Sequence, residues 1–292
     1  MVVRKQIQVI LFCLGGLNGV AQDSTLLHML DDSLVQQNVV TSTFKATQII
    51  NTPTVEAPAA KSLQFMIMHR FGKLNEGSYA LFGLDNATIR FALDYGLTKN
   101  LSIGIGRSSL DKVYDASFKW RLVQQKRGGF PITASLYGLV TNTTLRYSGK
   151  PYLNSKYRTA YATQLLLAKK LGSALSIQVT PSWLHFNLVP TKEDKNDIWA
   201  LGVGGRAKLT KRMSLNAEYH LLPRDQISSQ KVYNSFSMGV DLETGGHVFQ
   251  LIFTNSEGMT APYYLAKNYG SWGAGDIYFG FNITRIFNFG KK

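Results

Sequence analysis

Most of the sequence consists of segments about ten residues long in which apolar and polar residues alternate, the period expected for β-strands. In segment 87–95, Ile89, Phe91 and Leu93 fall on one face, whereas Thr88 and Arg90 fall on the other. The other clear segments are 101–106, 113–123, 212–222, 233–242 and 277–287, and weaker ones lie at 62–71, 131–142, 157–168, 174–188, 198–209 and 247–254. The pattern therefore predicts twelve strands. Because proline cannot donate to a sheet ladder, we expect a bulge or a strand end at Pro181.

The alternation favours a barrel in a membrane over a soluble all-β fold. After the N-terminus, no apolar stretch reaches the roughly 20 residues of a membrane-spanning helix, and only a closed barrel otherwise satisfies every backbone group in lipid. Charged residues make up 17% of the chain, below the roughly 25% of soluble domains. The absence of a repeat of about 40–50 residues argues against a propeller. We predict an all-β fold, a transmembrane antiparallel up-and-down β-barrel of about 12 strands.

The N-terminus has the pattern of an export signal. Arg4 and Lys5 precede a short apolar run, and Gly19 and Ala21 are the small residues of a cleavage site. We assign residues 1–21 to a signal peptide, 22–60 to a periplasmic N-terminal segment and 61–289 to the barrel. A buried first element is the alternative for the apolar run. The only cysteine, Cys13, falls in the signal, which excludes a disulfide framework.

The N-terminal segment contains apolar residues that need burial. Phe44, Ile49 and Ile50 lie in it, and Pro53 and Pro58 indicate an extended linker. We therefore hypothesise that residues 22–60 contain a plug in or under the barrel mouth.

The connections between predicted strands alternate between short and longer, as in outer-membrane barrels. This alternation places both termini in the periplasm of a Gram-negative-type bacterium, with longer loops outside; loops 72–86 and 255–276 could narrow the lumen. The formal charge of +14 comes largely from basic periplasmic turns, which suits lipid headgroups rather than nucleic acid. Interfacial aromatic residues are predicted at Tyr95, Trp120, Tyr157, Trp183, Trp199, Tyr278 and Phe287.

Four stretches carry a more specific resemblance. They are Phe44–Asn51 (FKATQIIN), His69–Gly72 (HRFG), Leu81–Asp85 (LFGLD) and Ile103–Ser109 (IGIGRSS). The sequence resembles an uncharacterised bacterial outer-membrane β-barrel family, one of the domain-of-unknown-function barrel families. The resemblance implies a barrel in the outer membrane and carries over no catalytic residue or ligand.

No constellation predicts catalysis, a metal or a cofactor. No two histidines have His-x-x-x-His spacing, and the glycines of 104–109 suit a packed strand better than a dinucleotide loop. Ser182, His185 and Asn187 are close in sequence and leave an outer-leaflet lipid hydrolase as a minor alternative. Glu218 and His220 share one predicted lumen face, as a solvated pair or a proton relay.

The predicted lumen face carries more basic than acidic side chains. This set comprises Arg70, Arg90, Lys119, Arg121, Arg158, Arg206 and Lys208 against Asp94, Asp115, Glu218 and Asp241, with His220 beside them. Basic rings favour anions, which predicts a small, mildly anion-preferring diffusion channel for an anionic solute. The alternative is a non-conducting structural or accessory barrel with a closed lumen. The expected partners are outer-membrane lipid and the outer-membrane assembly machinery, which reads aromatic residues such as Phe287 and Phe289 near the C-terminus.

Overall fold

A computed structural model describes residues 38–146 and 148–289 as a closed barrel of twelve antiparallel strands. The predicted signal peptide lies outside these residues. The strands are β1 (Ser62–Lys73), β2 (Ala87–Gly96), β3 (Leu101–Ser108), β4 (Val113–Val123), β5 (Thr133–Thr143), β6 (Thr159–Lys170), β7 (Leu175–Phe186), β8 (Asp197–Lys208), β9 (Met213–Leu221), β10 (Ser235–Thr244), β11 (His247–Thr254) and β12 (Tyr278–Asn288). One α-helix, α1 (Ala261–Ala266), and four 3-10 helices, Leu74–Glu76, Ser78–Gly83, Leu110–Lys112 and Trp272–Ala274, lie between strands.

Each strand pairs with its sequence neighbours, and β1 closes the ring against β12. The closing register runs from Ser62 opposite Asn288 to Arg70 opposite Gly280. No described helix is both long and apolar enough to span a membrane. The predicted fold class and strand number are confirmed, and no strand boundary differs from the predicted one by more than two residues.

The two ends of the barrel differ in the length of their connections. The end at which β1 begins and β12 finishes, here called the turn end, carries the connections 97–100, 124–132, 171–174, 209–212 and 245–246. The opposite end, here called the loop end, carries 74–86, 109–112, 144–158, 187–196, 222–234 and 255–277. Most connections at the loop end are longer than those at the turn end.

Burial alternates along the strands with the period of the sequence pattern. In β9, Ser214, Asn216 and Glu218 are buried inside the barrel, whereas Leu215 and Tyr219 are 45% and 44% exposed on its outer face. Large apolar side chains therefore cover the outside, as hydrocarbon requires. Among the predicted interfacial aromatic residues, Trp120 and Trp199 are exposed, but Tyr278 is buried and lines an inner cavity at the loop end.

Strand β7 continues through Pro181 without a bulge. The pairs Gln164–Ser182 and Leu167–Val179, on the two sides of Pro181, have the same register with β6, so the expected bulge or strand end is wrong. Leu184 faces inward like Ser182, because the lumen at this height is apolar. The inward side chains of β7 therefore change from polar to apolar along the strand without a change of face.

Lipid contact can be tested with two leucines of equal exposure. Leu251, in β11, and Leu97, in a turn, are both 44% exposed. Arginine at the centre of a lipid-facing strand costs about 2–4 kcal/mol, against about 0–1 near the interface. We expect Leu251→Arg to lower the free energy of unfolding in lipid vesicles by about 2–4 kcal/mol and Leu97→Arg to leave it nearly unchanged, as measured by denaturant titration. Equal effects would contradict a hydrocarbon-facing outer surface.

Candidate functional site

The lumen is occupied from the turn end by residues 43–57, here called the plug. Before it, the backbone amide of Val40 donates to Gln125 in a turn-end connection at 2.9 Å. Phe44, Ile49, Ile50 and Val55 are at most 3% exposed and pack against apolar residues inside the barrel. The plug therefore removes from water the apolar residues that, on the sequence alone, needed burial.

The plug is folded as a tight reversal. The amide of Thr54 donates to the carbonyl oxygen of Thr47 at 2.8 Å, and that of Ile49 donates to the carbonyl oxygen of Thr52 at 2.8 Å. Residues 50–52 therefore form the tip of the reversal, and their backbone amides are not used in the hydrogen bonds that close it.

The Glu218 carboxylate of β9 binds this tip. It accepts hydrogen bonds from the backbone amides of Ile50, Asn51 and Thr52 at 3.2, 2.9 and 3.1 Å. Buried amides without acceptors are costly, and bonds to a charged acceptor are stronger than neutral ones. One carboxylate of the barrel wall therefore satisfies three donors of the plug. At the other end of the plug, Glu56 accepts the amide of Thr43 at 2.8 Å.

Side chains from strands around the lumen donate to the plug's carbonyl oxygens. These bonds are Gln250 to Ile49 at 2.9 Å, Asn282 to Ile50 at 3.0 Å, Gln178 to Pro53 at 2.8 Å and Lys119 to Glu56 at 2.6 Å. The donors lie on β11, β12, β7 and β4. The plug is thus held from several sides by polar side chains and by no strand pairing to the barrel.

Three of the predicted lumen cations meet the plug and a fourth is paired within the wall. Arg70 is fully buried and donates to the Asn51 side chain at 2.9 Å. Arg121 donates to the Val55 carbonyl oxygen at 3.4 Å, and Lys119 donates to the plug as described above. Arg90 instead makes two bonds to Asp115, at 3.0 and 2.6 Å. The charges of the lumen are therefore largely engaged by protein.

The remaining predicted lumen residues lie at several heights. His220 contacts the Thr52 hydroxyl of the plug at 2.6 Å. Towards the turn end, Arg206 donates to Ser214 at 2.9 Å and Asp241 accepts from Gln250 at 2.8 Å, while Asp94 and Lys208 are half-buried. Arg158 lies one residue before β6, where it donates to the Leu145 carbonyl oxygen at 2.8 Å.

The connection 255–277 enters the lumen from the loop end. All six residues of α1 are buried. The Tyr264 ring lies 4.8 Å from that of His220, and its hydroxyl contacts Gln164. Cavities of about 10 and 20 Å³ lie around the plug, little more than the roughly 10–15 Å³ that one water needs. Of the two loops predicted to narrow the lumen, this one enters it, whereas Tyr79 and Phe82 of connection 74–86 are exposed.

The residues considered for lipid hydrolysis do not form a site together. Ser182 faces the lumen and bonds to Gln164 at 2.9 Å. His185 lies on the opposite face of β7 and contacts Asp197 at 2.9 Å. Alternation along one continuous strand keeps the hydroxyl and the imidazole on different faces of the sheet. Within the described residues, no group of three or more His, Cys, Asp or Glu side chains is placed to hold a metal ion.

Comparison with known families identifies the fold independently. The chain belongs to the family described as membrane bound beta barrel domain (DUF5777), whose profile matches residues 44–287. The match begins at the second residue of the plug and ends one residue before the end of β12, and it confirms the predicted barrel family. The protein is therefore a membrane-bound β-barrel.

Three solved structures are similar at low identity. The NanC porin has a TM-score of 0.47 and 8% identity over 77% of this chain and 98% of the porin. An outer-membrane channel from Pseudomonas putida F1 has a TM-score of 0.48 and 12% identity over 80% and 97%. An active-site mutant of outer membrane phospholipase A from Escherichia coli has a TM-score of 0.46 and 10% identity over 78% and 91%. No curated protein matches the sequence.

The bond between Glu218 and the plug tip makes a measurable prediction. Each hydrogen bond to a charged group contributes about 1.5–3 kcal/mol. In the glutamine variant, the side-chain amide offers the backbone amides of the plug tip only a neutral oxygen. We expect Glu218→Gln to accelerate amide hydrogen exchange in residues 47–54 at least about tenfold, the equivalent of about 1.4 kcal/mol.

The matched control is Glu243→Gln. Glu243 also binds the N-terminal region, through Lys45 at 2.9 Å, but both side chains are about one-third exposed, at 37% and 31%. Such a pair contributes about 0–1 kcal/mol, so exchange in residues 47–54 should stay within a few-fold of the wild type. Indistinguishable exchange in the two variants would show that the carboxylate does not hold the plug.

Proposed function

We propose that this protein is an outer-membrane barrel closed by its own N-terminal plug, and that it conducts small solutes only when the plug leaves. The observation that carries the proposal is the tip of residues 50–52 bound to Glu218 across the lumen. Outer-membrane barrels have even strand numbers, short periplasmic turns and longer outer loops. In the proposed orientation, the turn end and both termini lie in the periplasm.

The way in which the plug is held makes its departure feasible. The barrel wall is a continuous ladder of backbone bonds, whereas the plug is held by side-chain bonds and apolar contacts. It joins β1 through residues 58–61, and Lys61 adopts a φ of 59° where the chain reverses. The plug can therefore withdraw while every strand pair of the barrel persists.

Withdrawal would give the lumen an anion preference. Arg70, Lys119 and Arg121 donate to plug oxygens and would face water in its absence. Arg90 stays neutralised by Asp115 at 2.6 Å. The passenger expected from this charge is a small anionic solute.

A permanently closed structural or accessory barrel is the second candidate. The observation in its favour is the apolar cluster in which Ile49 and Ile50, 2% and 0% exposed, pack with Leu166, Leu184 and Ile252. Such burial resists withdrawal of the plug. In either case lipid and the outer-membrane assembly machinery are the proposed partners.

Planar-bilayer recordings distinguish the two candidates. The Asn51 and Ser237 side chains lie 3.2 Å apart, so the pair Asn51→Cys and Ser237→Cys should cross-link the plug to β10. We expect the oxidised pair to be silent, the full chain to open rarely, and a variant lacking residues 43–57 to conduct steadily. Equal conductance of the oxidised pair and the deletion variant would rule out the plug as the closing element.

The charge claim is tested in the variant that lacks the plug. In a salt gradient we expect its reversal potential to report anion preference. Lys119→Gln combined with Arg121→Gln should reduce that preference, because both cations face the emptied lumen. Lys126→Gln, in a turn-end connection outside the lumen, should leave the potential unchanged. Cation preference in the deletion variant would refute the proposed solute class.

A further inference from the structure

Two cavities at the loop end share a wall. One, of about 240 Å³, is lined mainly by apolar side chains, among them Pro190, Ile198 and Ile227. The other, of about 230 Å³, is bordered by the bases Lys150 and Arg158 and by one acid, Asp111. Phe186, Leu188 and Lys267 line both cavities. An apolar compartment therefore adjoins a basic one.

Lys267 is the residue between the two compartments that lacks an anionic partner. Its Nζ lies 4.8 Å from the ring centre of Tyr263 and 5.8 Å from that of Phe186. Its Nζ makes no ion pair or hydrogen bond with residues 38–146 and 148–289. Burial lowers the pKa of Lys267, against the opposing effect of Asp111, whose carboxylate accepts the Tyr263 hydroxyl at 2.8 Å. An anion brought to Nζ would stabilise the charged ammonium.

The acid in the apolar compartment is already engaged by the backbone. Asp194 accepts the amides of Thr191, Ser228 and Ser229 at 3.2, 2.7 and 2.9 Å. These bonds hold the pKa of Asp194 below its ordinary value in spite of its desolvation. It thereby fastens connection 187–196 to connection 222–234, which supports the cavity wall from behind.

We propose that these cavities form a binding site for a short aliphatic carboxylate, with its chain in the apolar compartment and its carboxylate on Lys267. Apolar pockets with a few convergent polar groups are the usual form of small-molecule sites. Lys150 and Arg158 line the basic compartment that Lys267 also borders. Each cavity is smaller than the roughly 300–1,000 Å³ of drug-sized sites, so the ligand has a single short chain. The site lies at the end of the barrel opposite the plug's entry, and its existence does not depend on conduction.

The probe for this site is decanoate, titrated calorimetrically into the full chain in a non-ionic detergent, with decanol as its uncharged counterpart. We expect saturable decanoate binding that Lys267→Gln weakens at least about tenfold, because a charge-assisted bond is lost. Lys267→Arg should retain binding, which separates loss of charge from local misfolding. Leu188→Trp should weaken decanoate binding, because the larger side chain would fill the apolar compartment.

The matched control is Lys231→Gln. Lys231 is also at the loop end and lies 4.8 Å from the ring centre of Tyr233, but it lines neither cavity. Measured in the same detergent, this substitution should leave the affinity for decanoate unchanged. Equal affinities of decanoate and decanol, or equal decanoate affinities in the wild type and Lys267→Gln, would overturn the proposal.

Discussion

The constraint on which this structure depends is that hydrocarbon offers no partner to a backbone amide or carbonyl. A sheet in lipid can have no free edge, so β1 must pair with β12. A ring of twelve strands is wider than side chains alone fill, since about eight strands mark that limit. Here the additional space contains protein, with residues 43–57 from one end and connection 255–277 from the other. Closing the sheet thus creates the lumen that the plug occupies.

The plug and connection 255–277 both contact one histidine. His220 contacts the Thr52 hydroxyl of the plug at 2.6 Å and the Tyr264 ring of α1 at 4.8 Å. The same short helix is followed by Lys267 and supplies Ala266 to the cavity wall at the loop end. Lys267 therefore lies three positions after Tyr264, the residue of α1 that contacts His220. The cluster in which the plug is buried therefore adjoins the cavity wall at the loop end through a single short helix.

The strand boundaries could be predicted to within two residues because the outer face of the barrel wall is apolar and the lumen face is mostly polar. The alternation of apolar and polar residues therefore indicates on which side of the wall each side chain lies. The expected bulge or strand end at Pro181 was wrong, and that part of β7 lies where the lumen becomes apolar. Leu184 faces inward against the apolar cluster, and that cluster exists only because the plug and α1 enter the barrel. Tyr278, the first residue of β12, lines an inner cavity at the loop end. The need to bury Phe44, Ile49 and Ile50 was visible in the sequence, but their partners in the barrel wall and α1 are more than 80 residues away.

A count of inward-facing basic side chains does not by itself define the ion selectivity of the lumen, because those side chains can be bound by other protein groups. Arg90 is neutralised within the wall by Asp115, with side chains 8% and 0% exposed. Arg70, Lys119 and Arg121 face oxygens of the plug, and Glu218 faces its amides. The wall thus offers donors to the plug's acceptors and an acceptor to its donors, which is the complementarity expected of an internal interface. In the structure, Arg70, Lys119 and Arg121 are bound by the plug, so their charge does not face an open water path.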